Sequence, residues 1–278
     1  MSMPPTIPEG VGTVASSRPL AGGNAAELWL LDLTDGRRVV AKSGKGLTLE
    51  AMMLRYLAEH SRLPVPELFH ADDRLLVMSH VESDGGGLTA SAQEHAAELV
   101  AALHGIGAAR YGFPQDTLIG PLPQPNPGTD DWIAFFRDHR LMHMARKALD
   151  ERRIDGALMA AIERLAARLP DLIGEPAPPS LIHGDLWGGN VLAFRGRVAG
   201  FIDPAIYHAD PEIELAFSTL FGTFGEPFFR RYHELRPIRP GFFEVRRDLY
   251  NLYPLLVHVR LFGGSYRGQV ARIVTRFG

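Results

Sequence analysis

The chain of 278 residues contains no cysteine, which excludes disulfides, thiolate zinc sites, cysteine nucleophiles and thiol redox switches. It also lacks a long run of charge of either sign. Its 29 Lys and Arg are interspersed with 32 Asp and Glu for a formal net charge of -3, so there is no electrostatic footprint for nucleic acid or an anionic lipid surface. Long apolar runs are missing too: no stretch approaches the ~20 residues that a membrane span needs, and Met1-Ser2-Met3-Pro4-Pro5 lacks the basic-then-apolar order of a secretory signal. There is no internal repeat. These absences point to a cytoplasmic protein with neither nucleic acid nor membrane as partner, and they leave the oligomeric state undefined. What is present is a 46% hydrophobic content, enough to bury a core in one large domain or two lobes.

The N-terminal part alternates short apolar runs with turn signals. Leu28 to Leu33 reads as a strand, Thr34-Asp35-Gly36 as a hairpin turn and Arg38 to Lys42 as the returning strand. Leu47 to His60 has helical spacing, with Leu49, Met53, Leu54 and Leu57 on one side and Pro64 and Pro66 beyond its end. Leu75 to Met78 is a buried-strand candidate. Ser83-Asp84-Gly85-Gly86-Gly87 is too glycine-rich for a regular element and reads as a hinge. The expected fold class is therefore α+β: a small antiparallel-sheet lobe over residues 1–82, then a larger, mostly helical lobe over 83–278. Helices are expected at Ala92 to Ile106, from Trp132 behind an Asp130-Asp131 cap, at Ala157 to Leu169, Glu212 to Phe221 and Phe242 to Phe262. Pro114 to Asp130 reads as a proline-dense loop.

The chemistry is concentrated in Leu181-Ile182-His183-Gly184-Asp185-Leu186-Trp187-Gly188-Gly189-Asn190 and the later Phe201-Ile202-Asp203-Pro204. A kinase catalytic loop carries an Asp, an Asn five positions on, and a later Asp that holds magnesium; Asp185, Asn190 and Asp203 fit that order. Phosphoryl transfer from ATP needs the acceptor hydroxyl aligned and the phosphate charge neutralised. A loop carboxylate such as Asp185 suits the first task, and the hard oxygens of Asn190 and Asp203 suit Mg2+ for the second. Upstream, Lys42 ends a strand like the lysine that contacts the phosphates, with Glu50 on the next helix as its ion-pair partner. Gly22 and Gly23 would let backbone N–H groups approach phosphate oxygens, but Gly22-Gly23-Asn24 is also an ordinary hairpin turn. Ser79, His80 and Val81 follow a buried strand where backbone groups would meet adenine. His183 reads as a packing residue under the loop. Trp187, Trp132, His233 and Tyr250 are candidates to stack on or bond an acceptor sugar, and each is also a candidate for the core.

His183 to Asn190, read as HGDLWGGN, together with Ile202-Asp203-Pro204-Ala205 and Glu214-Leu215-Ala216, resembles the fructosamine kinase (ketosamine-3-kinase) family. Asp130-Asp131-Trp132 with Phe135-Phe136 and His139-Arg140-Leu141 is similar to another segment of that family, as are Phe221 to Phe224 and Tyr232-His233. The resemblance runs from about Leu20 to Arg267. It implies a protein-kinase-like fold and ATP-dependent phosphorylation of the sugar 3-hydroxyl of a ketoamine, free or protein-bound, in a deglycating role. It assigns Asp185 as proton acceptor, Asn190 and Asp203 as magnesium ligands, Lys42 as the phosphate-contacting lysine and Ser79 to Val81 as the adenine-contacting segment. The chain departs from the family where Ser79 stands in place of a common acidic residue. Two other functions remain open at this stage: a small-molecule kinase of the aminoglycoside or choline type, and a catalytically silent nucleotide-binding scaffold.

Overall fold

The computed structural model describes residues 4–20 and 26–278. Its N-terminal region holds β1 (Val14–Leu20), β2 (Glu27–Leu33), β3 (Arg38–Ser43), α1 (Leu47–His60), β4 (Leu68–Ala71) and β5 (Leu75–Ser79). The strands form one antiparallel sheet in the order β1-β2-β3-β5-β4. Side chains alternate across a strand with a period of two. Accordingly Trp29, Leu31, Leu33, Val39, Ala41 and Val77 make one buried face, with Val11 over it. On the opposite face Val40, Leu76 and Met78 meet α1 through Leu47, Ala51 and Leu54, a spacing of four and three that sets one stripe of the helix against the sheet. The expected turn is present: Leu33 N–H bonds Arg37 O at 2.8 Å, and Gly36 sits at φ 87°, a conformation that costs glycine little.

The C-terminal region begins with α2 (Ala90–His104) and the short hairpin β6 (Thr117–Ile119) and β7 (Leu122–Gln124). It continues through α3 (Trp132–Phe135), a π-helical turn at Phe136–Leu141, α4 (Met142–Asp150), α5 (Gly156–Ala167) and α6 (Leu169–Ile173). Two strand pairs follow, β8 (Ser180–Ile182) with β11 (Tyr207–Ala209) and β9 (Val191–Phe194) with β10 (Arg197–Phe201). The chain ends in α7 (Glu212–Leu220), α8 (Glu226–Leu235), a second π-helical turn at Phe242–Arg246, α9 (Arg247–Phe262) and α10 (Ser265–Phe277).

Several elements differ from the sequence reading. The proline-dense loop contains the β6–β7 hairpin, whose Gln124 and Thr117 side chains bond each other at 2.8 Å in the interior. The expected single helix from Phe242 is split into a π-helical turn and α9. Asp131 does cap α3, its Oδ1 accepting the Ala134 N–H at 2.9 Å.

Trp132 is a correction. It is 1% exposed, packed among Tyr111, Phe135, Phe136 and Tyr250, with its indole N–H donating to the Tyr250 hydroxyl at 2.9 Å. A ring enclosed on this scale has no face left for a sugar, and the same holds for Tyr250, which is fully buried. Trp132→Phe keeps most of the volume but removes the donor. It is expected to lower unfolding free energy by about 1–3 kcal/mol, read as a shift in urea midpoint, whereas an unchanged midpoint would contradict this packing.

Candidate active site

Strand pairing builds the site. The loop carrying Asp185 runs between β8 and β9, and the loop carrying Asp203 runs between β10 and β11. Because Ile182 pairs with Tyr207 and Val191 pairs with Phe201, the two loops are fastened to each other at both ends. They also touch in the middle, where Ala205 N–H bonds His183 O at 2.7 Å. Gly184 lies there at φ 85°, and a Cβ on it would overlap the Ala205 carbonyl, so only glycine permits this approach. Asp203 adopts φ 52°, a left-handed conformation that Asp tolerates better than most residues.

Asn190 Nδ2 donates to both Asp185 Oδ2 and Asp185 O at 2.9 Å. Among the described residues its Oδ1 accepts no hydrogen bond, so that oxygen is free. From the sheet, Lys42 Nζ reaches Asp203 Oδ1 at 2.7 Å and the Glu50 carboxylate at 2.8 Å. One ammonium thus joins β3, α1 and the second loop. Burial works against the Lys42 charge, but Asp203 and Glu50 outweigh it and hold the pKa above its ordinary value. Glu50 is pushed up to about 7, by burial first and against the pull of Lys42, with the Asp203 charge adding. Asp185 is pushed up to about 8, mainly by burial and then by the charges of Asp203 and Glu214, against Asn190 and Lys42. A carboxyl in that range can exchange a proton near neutrality.

His183 is 1% exposed and its Nδ1 accepts the Asp185 N–H at 3.4 Å, the packing place that the sequence suggested. Trp187 is 40% exposed. Its ring lies over Gly189, where any Cβ would collide with it, which accounts for a glycine there. From Trp187 an aromatic wall continues through Phe221, His258, Tyr266 and Phe262, with ring centroids 4.9–6.0 Å apart along the chain of contacts.

Other sequence candidates stand elsewhere. Ser79 N–H bonds Glu67 O at 2.8 Å and His80 N–H bonds Arg38 O at 3.1 Å, so both amides are committed inside the protein. The Val81 amide makes no such backbone bond among the described residues, and Val81 packs on Gly200 of β10. His233 lies at the end of α8, where its Nδ1 accepts the Ile238 N–H at 3.1 Å; it closes that turn and joins none of the loop groups. Gly22 and Gly23 lie outside the described residues. Among the described residues no group of three or more His, Asp or Glu side chains is placed to hold a metal ion by itself.

The sequence reading missed an anchor under the loop. Glu214 of α7, 2% exposed, accepts the Gly184 N–H at 2.6 Å, the His183 N–H at 3.2 Å and the His104 Nε2–H at 2.8 Å. His104 Nδ1 lies 2.7 Å from the Tyr232 hydroxyl. The available signal was an acid inside the otherwise apolar run Ile213-Glu214-Leu215-Ala216-Phe217, since an unpaired acid is not buried. Burial would raise the Glu214 pKa, but the His104 bond and charge, His183 and the Gly184 amide hold it below the ordinary value. A depressed carboxyl adds stability above its unfolded pKa, and that stability fades as pH falls through the native one. Glu214→Gln is therefore expected to cost about 3 kcal/mol near neutral pH. In urea titrations the deficit should narrow below about pH 4, and a deficit that stays constant into acid would count against the charge.

A sequence model of the fructosamine kinase family matches residues 9–277. Among curated relatives, a probable ketoamine kinase of Synechocystis is 41% identical over 177 residues, 63% of this chain and 58% of that protein. The chloroplastic protein-ribulosamine 3-kinase of Oryza sativa subsp. japonica is 40% identical over 165 residues, 59% of this chain and 47% of that one. The chain thus spans about half the length of these relatives. A probable ketoamine kinase of Vibrio cholerae is 33% identical over 82% of this chain and 79% of its own. The crystal structure of a fructosamine-3-kinase candidate from Thermobifida fusca superposes with TM-score 0.84 at 33% identity, covering 96% of both chains. A thermostable mutant of the aminoglycoside phosphotransferase APH(4)-Ia superposes with TM-score 0.67 at 17% identity over 95% of both, a likeness of fold alone. With a kinase-like sheet-plus-helices fold and a family match that takes in nearly every residue, the chain belongs to the fructosamine kinase family.

Proposed function

We propose that the protein is an ATP-dependent kinase of ketosamines, transferring the γ-phosphoryl group to the 3-hydroxyl of a fructosamine or ribulosamine carried by a small amine or a protein lysine. The observation that carries this reading is the convergence of Asp185, Asn190 and Asp203 below Lys42, within a chain of the fructosamine kinase family. Its working parts are a nucleotide-binding lobe over residues 1–82 and a catalytic lobe over 83–278. The setting is cytoplasmic and the role deglycation.

Asp185 accepts the hydrogen bond of the acceptor hydroxyl and takes its proton as the new O–P bond forms and the bond to the β-phosphate oxygen breaks, releasing ADP. Its raised pKa favours proton capture. Asn190 fixes the Asp185 carboxylate through Nδ2, and Lys42, steadied by Glu50, turns its charge to the phosphates. The Asn190 Oδ1 and the Asp203 carboxylate would hold Mg2+. They fit that ion, which takes hard oxygen donors and is held by one or two carboxylates together with substrate phosphates. When bound, it neutralises phosphate charge. The Val81 amide is the free backbone donor for adenine. Trp187 and Phe221 form the side of the site on which the ketoamine rests, their rings 6.0 Å apart.

Purified protein with MgATP and a panel of ribulosamines, fructosamines, an aminoglycoside and choline is expected to release ADP with the ketosamines and to place phosphate on O3. Turnover confined to the aminoglycoside or choline, or on none of the panel, would overturn the assignment. Asp185→Asn is expected to lower kcat by about 10²–10⁴-fold while an ATP analogue still binds in calorimetry. Unchanged turnover would remove Asp185 from the proton-accepting role.

A further inference from the structure

The β6–β7 hairpin carries a polar network that is closed off from solvent. Thr117, Gln124, Asn126 and Arg140 are each no more than 1% exposed. Arg140 Nη2 donates to Asn126 Oδ1 at 2.6 Å, Asn126 Nδ2 to Thr117 Oγ1 at 2.8 Å, and Gln124 Nε2 to the same Oγ1 at 2.8 Å. The second bond of Gln124 Nε2 leaves the network and goes to Ala205 O at 3.0 Å, while Tyr253 of α9 donates its hydroxyl proton to Gln124 Oε1 at 2.7 Å. Ala205 lies two residues beyond Asp203.

Two features indicate what Gln124 does there. One is direction. Buried polar pairs add little net stability over apolar groups of the same shape, but they hold a particular atom in a particular place. The Gln124 amide has a single workable orientation: turned over, it would set Oε1 against the Ala205 carbonyl, two acceptors with no proton between them. The other is strain. Asp203 at φ 52° occupies a region that a non-glycine residue keeps only where its surroundings over-determine it. Three hydrogen bonds on the flanking backbone do so: Ile202 N–H to Asn190 O at 3.1 Å, Ala205 N–H to His183 O at 2.7 Å, and Gln124 Nε2–H to the Ala205 carbonyl. The first two tie the Asp203 loop to the Asp185 loop. The third ties it to β7 and, through Tyr253, to α9.

We infer that Gln124 is a positioning residue for phosphoryl transfer: by holding the Ala205 carbonyl it keeps Asp203 in the left-handed conformation from which the carboxylate reaches Lys42 and the cation. This rests on the reading of Asp203 and Asn190 as Mg2+ ligands. Without the amide, the peptide joining Ala205 to Ile206 is free to turn, and Asp203 relaxes toward the ordinary regions of backbone space, which carries its carboxylate away from Asn190 Oδ1. Being fully buried, Gln124 touches neither nucleotide nor acceptor. It acts through Asp203.

The test is calorimetric titration of the full chain with a non-hydrolysable ATP analogue, with and without Mg2+, in wild type, Gln124→Met and Thr117→Val, each shown by circular dichroism to be folded under the conditions used. Methionine fills the space of the glutamine without its donor, whereas Thr117→Val disturbs the same network but leaves the Gln124 bond to Ala205 in place. Wild type is expected to bind more tightly with Mg2+. Gln124→Met should lose about tenfold of that gain with its metal-free affinity unchanged, and its kcat on a ketosamine should fall about tenfold or more at unchanged acceptor KM. Thr117→Val should keep the gain. A Gln124→Met protein with the full gain, or a Thr117→Val protein that loses as much, would overturn the inference. Should Gln124→Met fail to fold, Tyr253→Phe keeps the ring and removes only the hydroxyl that orients the amide; a loss of about threefold is expected, and none would overturn the inference. A wild type that gains nothing from Mg2+ overturns the cation site and this inference together, whereas a wild-type gain matched by Gln124→Met overturns the inference alone.

Discussion

The grip on the backbone at His183 and Gly184 is the constraint from which the candidate site follows. On one side the Glu214 carboxylate accepts both amides, and on the other the Ala205 amide donates to the His183 carbonyl. With β8 paired to β11 and β9 paired to β10, the loops have no freedom to slide apart. The position of Asp185 is therefore set by backbone hydrogen bonds in a dry interior, where such bonds are strong and costly to lose. Side-chain rotamers supply only the last adjustment, through Asn190. A site fixed in this way loses little entropy when substrate arrives, because the ordering was completed on folding.

Charge in the cleft is unbalanced. Glu50, Asp185 and Asp203 surround a single ammonium, Lys42. Two of the carboxyls respond by rising, Glu50 to about 7 and Asp185 to about 8, which is what crowded acids do when burial denies them water. The excess of acid is also the condition under which a divalent cation is welcome, so one electrostatic feature accounts both for the proton-accepting character proposed for Asp185 and for the suitability of Asp203 and Asn190 as cation ligands. The Lys42 bridge spans 161 positions of sequence, and through it the sheet feels any change of charge at Asp203.

The residues of this cluster were legible in the sequence because phosphoryl transfer demands particular side chains at short, fixed spacing. The α1 limits, Leu47–His60, were legible as well, since an amphipathic stripe bounded by prolines has few other solutions. What escaped was structure whose cause lies elsewhere in the chain. The strand β1, Val14–Leu20, is exposed along almost its whole length, so it shows no apolar alternation, and it is a strand because β2 offers it an edge. The β6–β7 hairpin hid among prolines because its stability comes from Gln124, which also donates to Ala205 O at 3.0 Å. Glu214 stood out as an acid in an apolar run, but its role as an anchor did not, because its partners are amides 30 and 31 positions upstream and a histidine 110 positions upstream. Trp132 and Trp187 looked alike as sequence. Burial alone separates them, one at 1% and the other at 40% exposure.

The helix α7 then emerges as the element to which the rest of the C-terminal region is referred. Its first turn holds Glu212, which binds Arg239 and Arg246 in an ion network that includes Asp210. The same turn holds Glu214 under the catalytic loop. Phe221, the next residue, touches Trp187 of the loop. Every residue from Glu212 to Ser218 is buried, so the helix cannot rotate without breaking charge pairs in the interior, where unpaired charge is least tolerated. Displacing this helix therefore moves the catalytic loop at two points, the backbone held by Glu214 and the Trp187 ring set against Phe221.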